Sequence, residues 1–268
     1  MSGKHGHGHT HGLYRPGTTV VHRLPPQAKL AATLAFVFAV VATPRAAFWA
    51  FGVDALVLIV VARLATVPLP VLARRLVIEL PFVAFALFLP LVGEAPRTDV
   101  LGLSLSEPGL WGAWNILAKG TLGVAATVLL ASTTSIAGLL VGLDRLHVPR
   151  AFTAIAGFMV RYIDVITGEA RRMRIARLSR GHDPRWLWQG RALAATAGTL
   201  FIRSFERGER IHVAMLSRGF AGELPPAGST SVSSDDDEAA AVDRRARLLA
   251  PLVPAVAAAA ALTAWIAA

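Results

Sequence analysis

Apolar residues fall into blocks of membrane-crossing length separated by short charged segments, and this alternation predicts most of the elements. Gln27 to Thr43 is the first block, somewhat short of the roughly 20 residues a bilayer core requires but extendable at either end; Pro44-Arg45 ends it. Ala46 to Ala62 forms a second span. The loop from Arg63 to Arg75 carries Arg63, Arg74 and Arg75 and no acid, which predicts a cytoplasmic loop. Leu76 to Val92 is a third span, with Glu79, Pro81 and Pro90 in or at its edge, and Gly93 to Gly109 sets Glu94, Asp99 and Glu107 against Arg97. That acidic loop is expected outside. Gly112 to Val141 holds a fourth span whose Ser132, Thr133, Thr134 and Ser135 are small residues that let membrane helices approach closely.

After Asp144-Arg145 the pattern changes. Val148 to Ile166 is apolar but interrupted by Arg161 and Asp164, and reads as a helix entering the cytoplasmic interface, the two charges one turn apart and able to pair. Glu169 to Arg180 then places Arg171, Arg172, Arg174, Arg177 and Arg180 against one acid. Pro184 to Trp188 starts the next helix, with tryptophans suited to an interface. From Ala192 to Arg218 one helix is predicted, with Arg203, Glu206, Arg207 and Arg210 on one face and Phe205, Gly208, Ile211, His212 and Met215 on the other. Pro225 to Asp243 is a linker with the acidic run Asp235 to Glu238, too polar to pack. Leu248 to Ala268 is the last apolar run, long enough to cross.

The reading is an all-α integral membrane protein of about five transmembrane helices, with cytoplasmic coupling helices between the fourth and fifth. Its divisions are a polar leader (1–26), four spans (27–143), a basic cytoplasmic region (144–224), an acidic linker (225–246) and a final span (247–268). Four spans before the basic region put it and the N-terminus inside; the fifth leaves the C-terminus outside.

Composition agrees. The 268 residues are 54% hydrophobic and 16% charged, against roughly 25% charged in soluble domains. The absence of cysteine excludes disulfides, thiol catalysis and cysteine-ligated metal centres. A net charge of +10 would suggest nucleic acid on a soluble protein, but basic segments lying between apolar runs follow the positive-inside rule instead. No cleavable signal peptide is expected, since the first apolar run follows a long polar leader.

The densest positive charge lies between Arg161 and Glu223, where two segments end alike: Leu178-Ser179-Arg180-Gly181 and Leu216-Ser217-Arg218-Gly219. Glycine adopts the left-handed conformation at a helix C-terminus without a Cβ clash, and arginine suits the negative end of the helix dipole. Two arginines are thus expected at two helix tips, and such charge suits an acidic groove on another chain. One Arg-Gly helix ending is common; the matched pair is not. His5, His7, His9 and His11 alternate among glycines and have the chemistry to wrap a divalent metal ion, or form a solvated tail. Glu79 is either an intramembrane functional acid or the i,i+4 partner of Arg75. No HExxH, GxSxG or Walker A pattern occurs, which leaves a membrane-embedded enzyme without a visible catalytic set. A nucleic-acid binder would need aromatics among the basic residues beyond Trp186 and Trp188.

These residues resemble the transmembrane energy-coupling components of energy-coupling factor transporters, in the CbiQ-like cobalt branch. The resemblance runs from about Val21 to Leu224. It rests on Val21-His22-Arg23-Leu24-Pro25-Pro26, Leu101-Gly102-Leu103-Ser104, His147-Val148-Pro149, Phe158 to Tyr162, and above all Phe201 to Arg210 running into Met215 to Phe220. The resemblance implies that Ser179-Arg180-Gly181 and Ser217-Arg218-Gly219 seat in grooves of two ABC-type ATPase subunits, serine standing for the family's usual alanine. It implies support of the coupling helices by Arg203, Glu206, Arg207, Glu209 and Arg210, with Met173 and Met215 on apolar contact faces. It further implies a separate integral substrate-binding subunit, ATP consumed only by the partner chains, no nucleic-acid partner, a location in the plasma membrane, and Co²⁺ as the transported ion. Nickel or a vitamin are the alternative cargoes.

Overall fold

The computed structural model describes residues 14–93, 96–100, 103–181, 190–220 and 251–266. The chain divides into two compact units, one of His11–Leu146 with Ser233–Ala268, the other of Met1–Thr10 with His147–Val232.

In the first unit, α1 (Val20–Arg23), α2 (Pro26–Ala42), α3 (Phe48–Leu64), α4 (Leu69–Arg75), α5 (Leu80–Val92), α6 (Glu107–Thr133), α7 (Ile136–Arg145) and α10 (Leu252–Ile266) are helical. Helix α3 shows how they are assembled. Its buried positions Ala50, Phe51, Asp54, Leu58 and Ala62 recur at three- and four-residue intervals, one face of a 3.6-residue helix. Opposite this stripe lie Phe36, Ala39 and Val40 of α2, Leu122, Ala125, Ala126 and Leu129 of α6, and Ala257 of α10. Ala47 and Ala50 pack with Ala260 and Ala264. Alanine dominates the contacts of α10 because membrane helices gain packing by bringing backbones close. Large side chains such as Phe82, Phe85, Leu87 and Phe88 of α5 are exposed instead, as lipid-facing positions should be.

The two ends of this unit differ in chemistry. At one, Phe48 contacts Trp111 and Trp114, with ring centroids 5.7 and 5.1 Å apart, and Arg45 lies over the Trp111 ring at 5.9 Å; aromatic residues suit the membrane–water boundary. At the other, hydrogen-bond donors, two of them cationic, meet the C-terminus of α6. Lys29 Nζ donates to the carbonyls of Thr133 (2.9 Å) and His22 (3.1 Å), the Arg15 amide donates to the Ser132 carbonyl (2.9 Å), and Arg75 donates to Ser132 Oγ (2.6 Å). Positive charge there complements the negative pole of the helix.

Several boundaries differ from the sequence expectation. The run Gly112 to Val141, expected as one span, is broken at Thr134, which is extended, and Ser135 accepts from the Gly138 amide to start α7. Serine at an N-cap competes with helix continuation for the same amide. The third span opens with a 3-10 turn at Leu76–Glu79 and is preceded by α4, so that Pro70–Val92 reaches 23 residues. Helix α1 falls inside the segment expected as the leader. The acidic loop contains an antiparallel hairpin, β1 (Arg97–Val100) with β2 (Leu103–Ser106), Arg97 opposite Ser106.

The second unit consists, among the described residues, of α8 (Arg150–Ser179) and α9 (Gly190–Leu216). The interface helix and the arginine-rich segment after it are therefore one uninterrupted helix of 30 residues, which by length and composition is able to cross a membrane. Pro149 precedes it, and no proline falls between Arg150 and Gly181 to break it. Among the described residues Arg161 and Asp164 make no ion pair. The acidic linker, Pro184 to Trp188 and the start of the last apolar run lie outside the described residues.

Candidate functional site

Both Leu-Ser-Arg-Gly segments end their helices as their glycines require. Gly181 has φ +74° and Gly219 φ +83°. The Gly219 amide donates to the Leu216 carbonyl and the Phe220 amide to the Met215 carbonyl, both at 3.0 Å, which is the paired pattern of a Schellman cap. The Gly181 amide makes the corresponding bond to Leu178 at 2.9 Å. An added Cβ would meet nothing within 4 Å at either glycine, so backbone conformation and not crowding demands glycine there.

Arg180 and Arg218 are exposed, and among the described residues neither guanidinium has a hydrogen-bond or ion-pair partner. Each tip thus offers five unused N–H donors in a planar fork, suited to a carboxylate. The serines beside them point their hydroxyls elsewhere: Ser179 Oγ donates to Ile175 (3.0 Å) and Ser217 Oγ to Ala214 (2.9 Å). They serve their own helices, as alanine would without the bond.

Helices α8 and α9 are joined by Glu169. One carboxylate oxygen accepts from Arg172 and the other from Arg203, both at 2.6 Å. The half-buried stripe of α8 comprises Tyr162, Ile166, Glu169, Met173 and Arg177, and that of α9 comprises Leu200, Ser204, Arg207, Ile211 and Met215. Met173 and Met215 therefore lie on the sheltered faces. Arg207 lies there too, contrary to the expected charged face, while Phe205, Gly208 and His212 are exposed. The helical phase accounts for this, because Arg207 precedes Ile211 and Met215 at four-residue intervals. Glu206 approaches Arg210 at 3.9 Å, and both are exposed, as is Glu209.

Charged groups in the first unit were less legible. Glu79 is buried and accepts from Thr121 Oγ1 at 3.1 Å; an added Cβ at Gly120 would come within 2.5 Å of its Oε1, so that glycine makes room for the carboxylate. Asp54 is wholly buried in α3 with neither oxygen hydrogen-bonded. His22 receives or donates to Thr19 Oγ1 through Nδ1 (2.7 Å) and donates through Nε2 to the Arg15 carbonyl (3.1 Å). Burial pulls its pKa below 6.5, with the Lys29 charge adding to the effect and the Arg15 carbonyl opposing it. Glu169, Lys29 and Asp54 were not singled out in the sequence. The available signals were a lone acid among arginines and charged residues inside apolar runs.

Among the described residues no group of three or more histidine, aspartate or glutamate side chains is placed to hold a metal ion. His5, His7, His9 and His11 lie outside the described residues.

The family model of CbiQ, a cobalt transport protein, matches residues 17–227. An energy-coupling factor transporter transmembrane protein, EcfT, of Bacillus selenitireducens is 30% identical over 234 residues, 79% of this chain and 83% of that one. The cobalt transport protein CbiQ of Rhodobacter capsulatus is 30% identical over 161 residues, 60% of this chain and 64% of its own length. A fused protein named CbiMQ from Methanocorpusculum labreanum is 34% identical over 107 residues, and the chain spans only 18% of it. With the match running from before α1 to beyond Phe220, the chain belongs to the CbiQ family of cobalt transport proteins.

Proposed function

We propose that the chain is the non-catalytic transmembrane coupling subunit of an ATP-driven energy-coupling factor importer for cobalt ions. The observation that carries this reading is the pair of exposed arginines held at glycine-capped helix ends, Arg180 and Arg218, neither with a partner among the described residues. Two such tips match two ABC-type ATPase subunits, each offering a carboxylate-lined groove. In this reading the arginine-rich half of α8, and α9, lie on the cytoplasmic side, and the membrane is the plasma membrane.

ATP binding in the partner chains draws the two ATPases together, and the tips follow. Glu169, through Arg203, makes α8 and α9 move as a pair, and Met173 and Met215 repack as they shift, since methionine has several soft rotamers. The motion passes to a separate membrane subunit that captures the substrate. The chain itself takes no nucleotide and no nucleic acid. Cobalt as cargo is supported by the family description and by the Rhodobacter capsulatus relative; the EcfT relative carries no cargo in its name.

The test is co-purification of the ATPase subunits with the Arg180→Ala/Arg218→Ala double variant, together with Co²⁺ and Ni²⁺ uptake by cells expressing the complete complex. Loss of both ATPase binding and Co²⁺ uptake is expected. ATPases retained at the parental level would overturn the docking role, and uptake of Ni²⁺ but not Co²⁺ would change the cargo.

A further inference from the structure

A groove of about 370 Å³ runs between α1, α2, α3, α6 and α10. Phe36, Leu58 and Leu129 form its buried floor. Its polar side chains are already engaged: Thr33 Oγ1 donates to the Lys29 carbonyl, Thr133 Oγ1 to the Leu129 carbonyl, and the Lys29 ammonium to the carbonyls of His22 and Thr133. One end is built by Val20 and Val21 of α1 and by Leu24, which caps that helix, and α1 has no buried residue. Val20, Leu64 and Leu252 stand exposed on the rim. This end is apolar and uncovered, and suits an apolar occupant.

Helix α10 shows what comes next along the wall. Trp265 Nε1 donates to the Ala42 carbonyl at 2.8 Å, 223 positions away, and Ala257 shares a packed cluster with Phe36, so α10 runs beside α2 in the same direction. The same offset carried down both helices sets Leu252 level with Lys29, and both line the groove. Leu248 and Leu249 then fall level with Pro25 and Pro26, next to Leu24. The described residues stop at Phe220 and resume at Pro251, so the uncovered end lies where the chain returns. Length makes the same demand. The 15 residues of α10 cover about 22 Å at 1.5 Å per residue, of a hydrocarbon core about 30 Å thick. Trp265, exposed at the far end, suits the boundary there, so the shortfall lies before Leu252. About three extended residues or about five helical ones make it up. On either count Leu249 lies inside the apolar layer and Arg247 at or beyond its edge.

We infer that Leu248 and Leu249 of this chain seat in the open end of the groove, against Val21, Leu24 and Leu64, completing the last span. The contact gives α1, otherwise tied through the hydrogen bonds of His22 and Lys29, its apolar partner. Arg244, Arg245 and Arg247 then stop the chain at the membrane surface. No partner chain enters this contact, so it stands or falls apart from the coupling role.

Because the chain has no cysteine, the test places two in the full-length protein in lipid vesicles: Leu24→Cys with Leu248→Cys, or Leu24→Cys with Leu249→Cys, oxidised by copper phenanthroline. A disulfide, read by mass spectrometry as a linked peptide, is expected for at least one pair, since it needs Cβ atoms about 4 Å apart. None is expected between Leu249→Cys and Phe85→Cys on the exposed surface of α5. In a second measurement a water-soluble maleimide should label a lone Leu249→Cys thiol about tenfold more slowly in the parental background than with Ala28→Phe, whose ring fills the groove wall and displaces the leucines. Failure of both pairs to link, equal linkage to Phe85→Cys, or equal labelling in the two backgrounds, the result if lipid hydrocarbon fills the groove instead, would overturn the proposal.

Discussion

Glu169 on α8 and Arg203 on α9 meet at 2.6 Å, and the same carboxylate holds Arg172 through its other oxygen. The pair lies well along both helices from the arginine tips, so it links the helices without occupying the groups proposed to dock. Glu169→Gln keeps the shape and removes the charge. Substrate uptake is expected to fall severalfold while the ATPases still co-purify, whereas loss of ATPase binding would show that Glu169 supports the tips themselves. The parental complex should itself lose coupling at high salt, because exposed ion pairs are screened.

Gly181→Ala and Gly219→Ala place a Cβ on backbone with φ +74° and +83°. The left-handed conformation costs about 1–2 kcal/mol for a residue with a side chain, and nothing nearby clashes. Each helix should therefore persist while its last turn re-aims the arginine. ATPase co-purification is expected to drop in each variant, and Gly219→Asn should retain more than Gly219→Ala, since asparagine tolerates this conformation better.

Removing Lys29 Nζ strands the Thr133 carbonyl at the end of α6 and the His22 carbonyl at the end of α1. Lys29→Met is expected to cost about 1.5–3 kcal/mol, the value of a hydrogen bond to a charged group. Faster amide exchange over residues 15–29, with α9 unchanged, would report it.

The same segment should respond to pH through His22. Its folded pKa is lowered from 6.5 by burial, so the folded segment binds fewer protons than the unfolded one and its stability rises with pH across that window. Anchoring should be complete above about pH 6.5 and weaken as pH falls below it. Amide exchange measured from pH 7.5 to 5.5 should show this dependence in the parental chain and lose it in His22→Gln.

Asp54 is buried without a hydrogen bond, and an unsatisfied buried polar group costs about 1–3 kcal/mol. Asp54→Ala is therefore expected to raise the thermal unfolding temperature in detergent, alanine already standing one turn earlier on the same buried face at Ala50. A lower unfolding temperature would show that the carboxyl has a partner in the assembled protein.

What could be read from the chain follows from the range of the interactions involved. The tips at Gly181 and Gly219 were legible because a helix stop is written locally, in a glycine and the residues before it. The apolar blocks around α2, α3 and α5 were legible because membrane burial needs length and little else. The break at Thr134 was not, since Ser132 to Ser135 suit both a helix contact and a cap, and only the Ser135 bond to Gly138 decides between them. The sheltered position of Arg207 and the reach of Glu169 to Arg203, 34 residues away, depend on how α8 and α9 pack. Hydrophobicity assigns an arginine to a solvent face by default and fails where its stem covers a neighbour.

Helix α8 runs without interruption through 30 residues to its glycine stop, about 45 Å at 1.5 Å per residue. A rod of that length is a lever. In the proposed coupling role, with the tip at Arg180 as the driven end, a tilt of about 5° would sweep the opposite end through about 4 Å, whereas a chain hinged midway would dissipate the same stroke in bending. Stiffness thus sets the gain of the device, and inserting Gly-Gly near Ile163 should abolish the far-end displacement while leaving the tip able to dock.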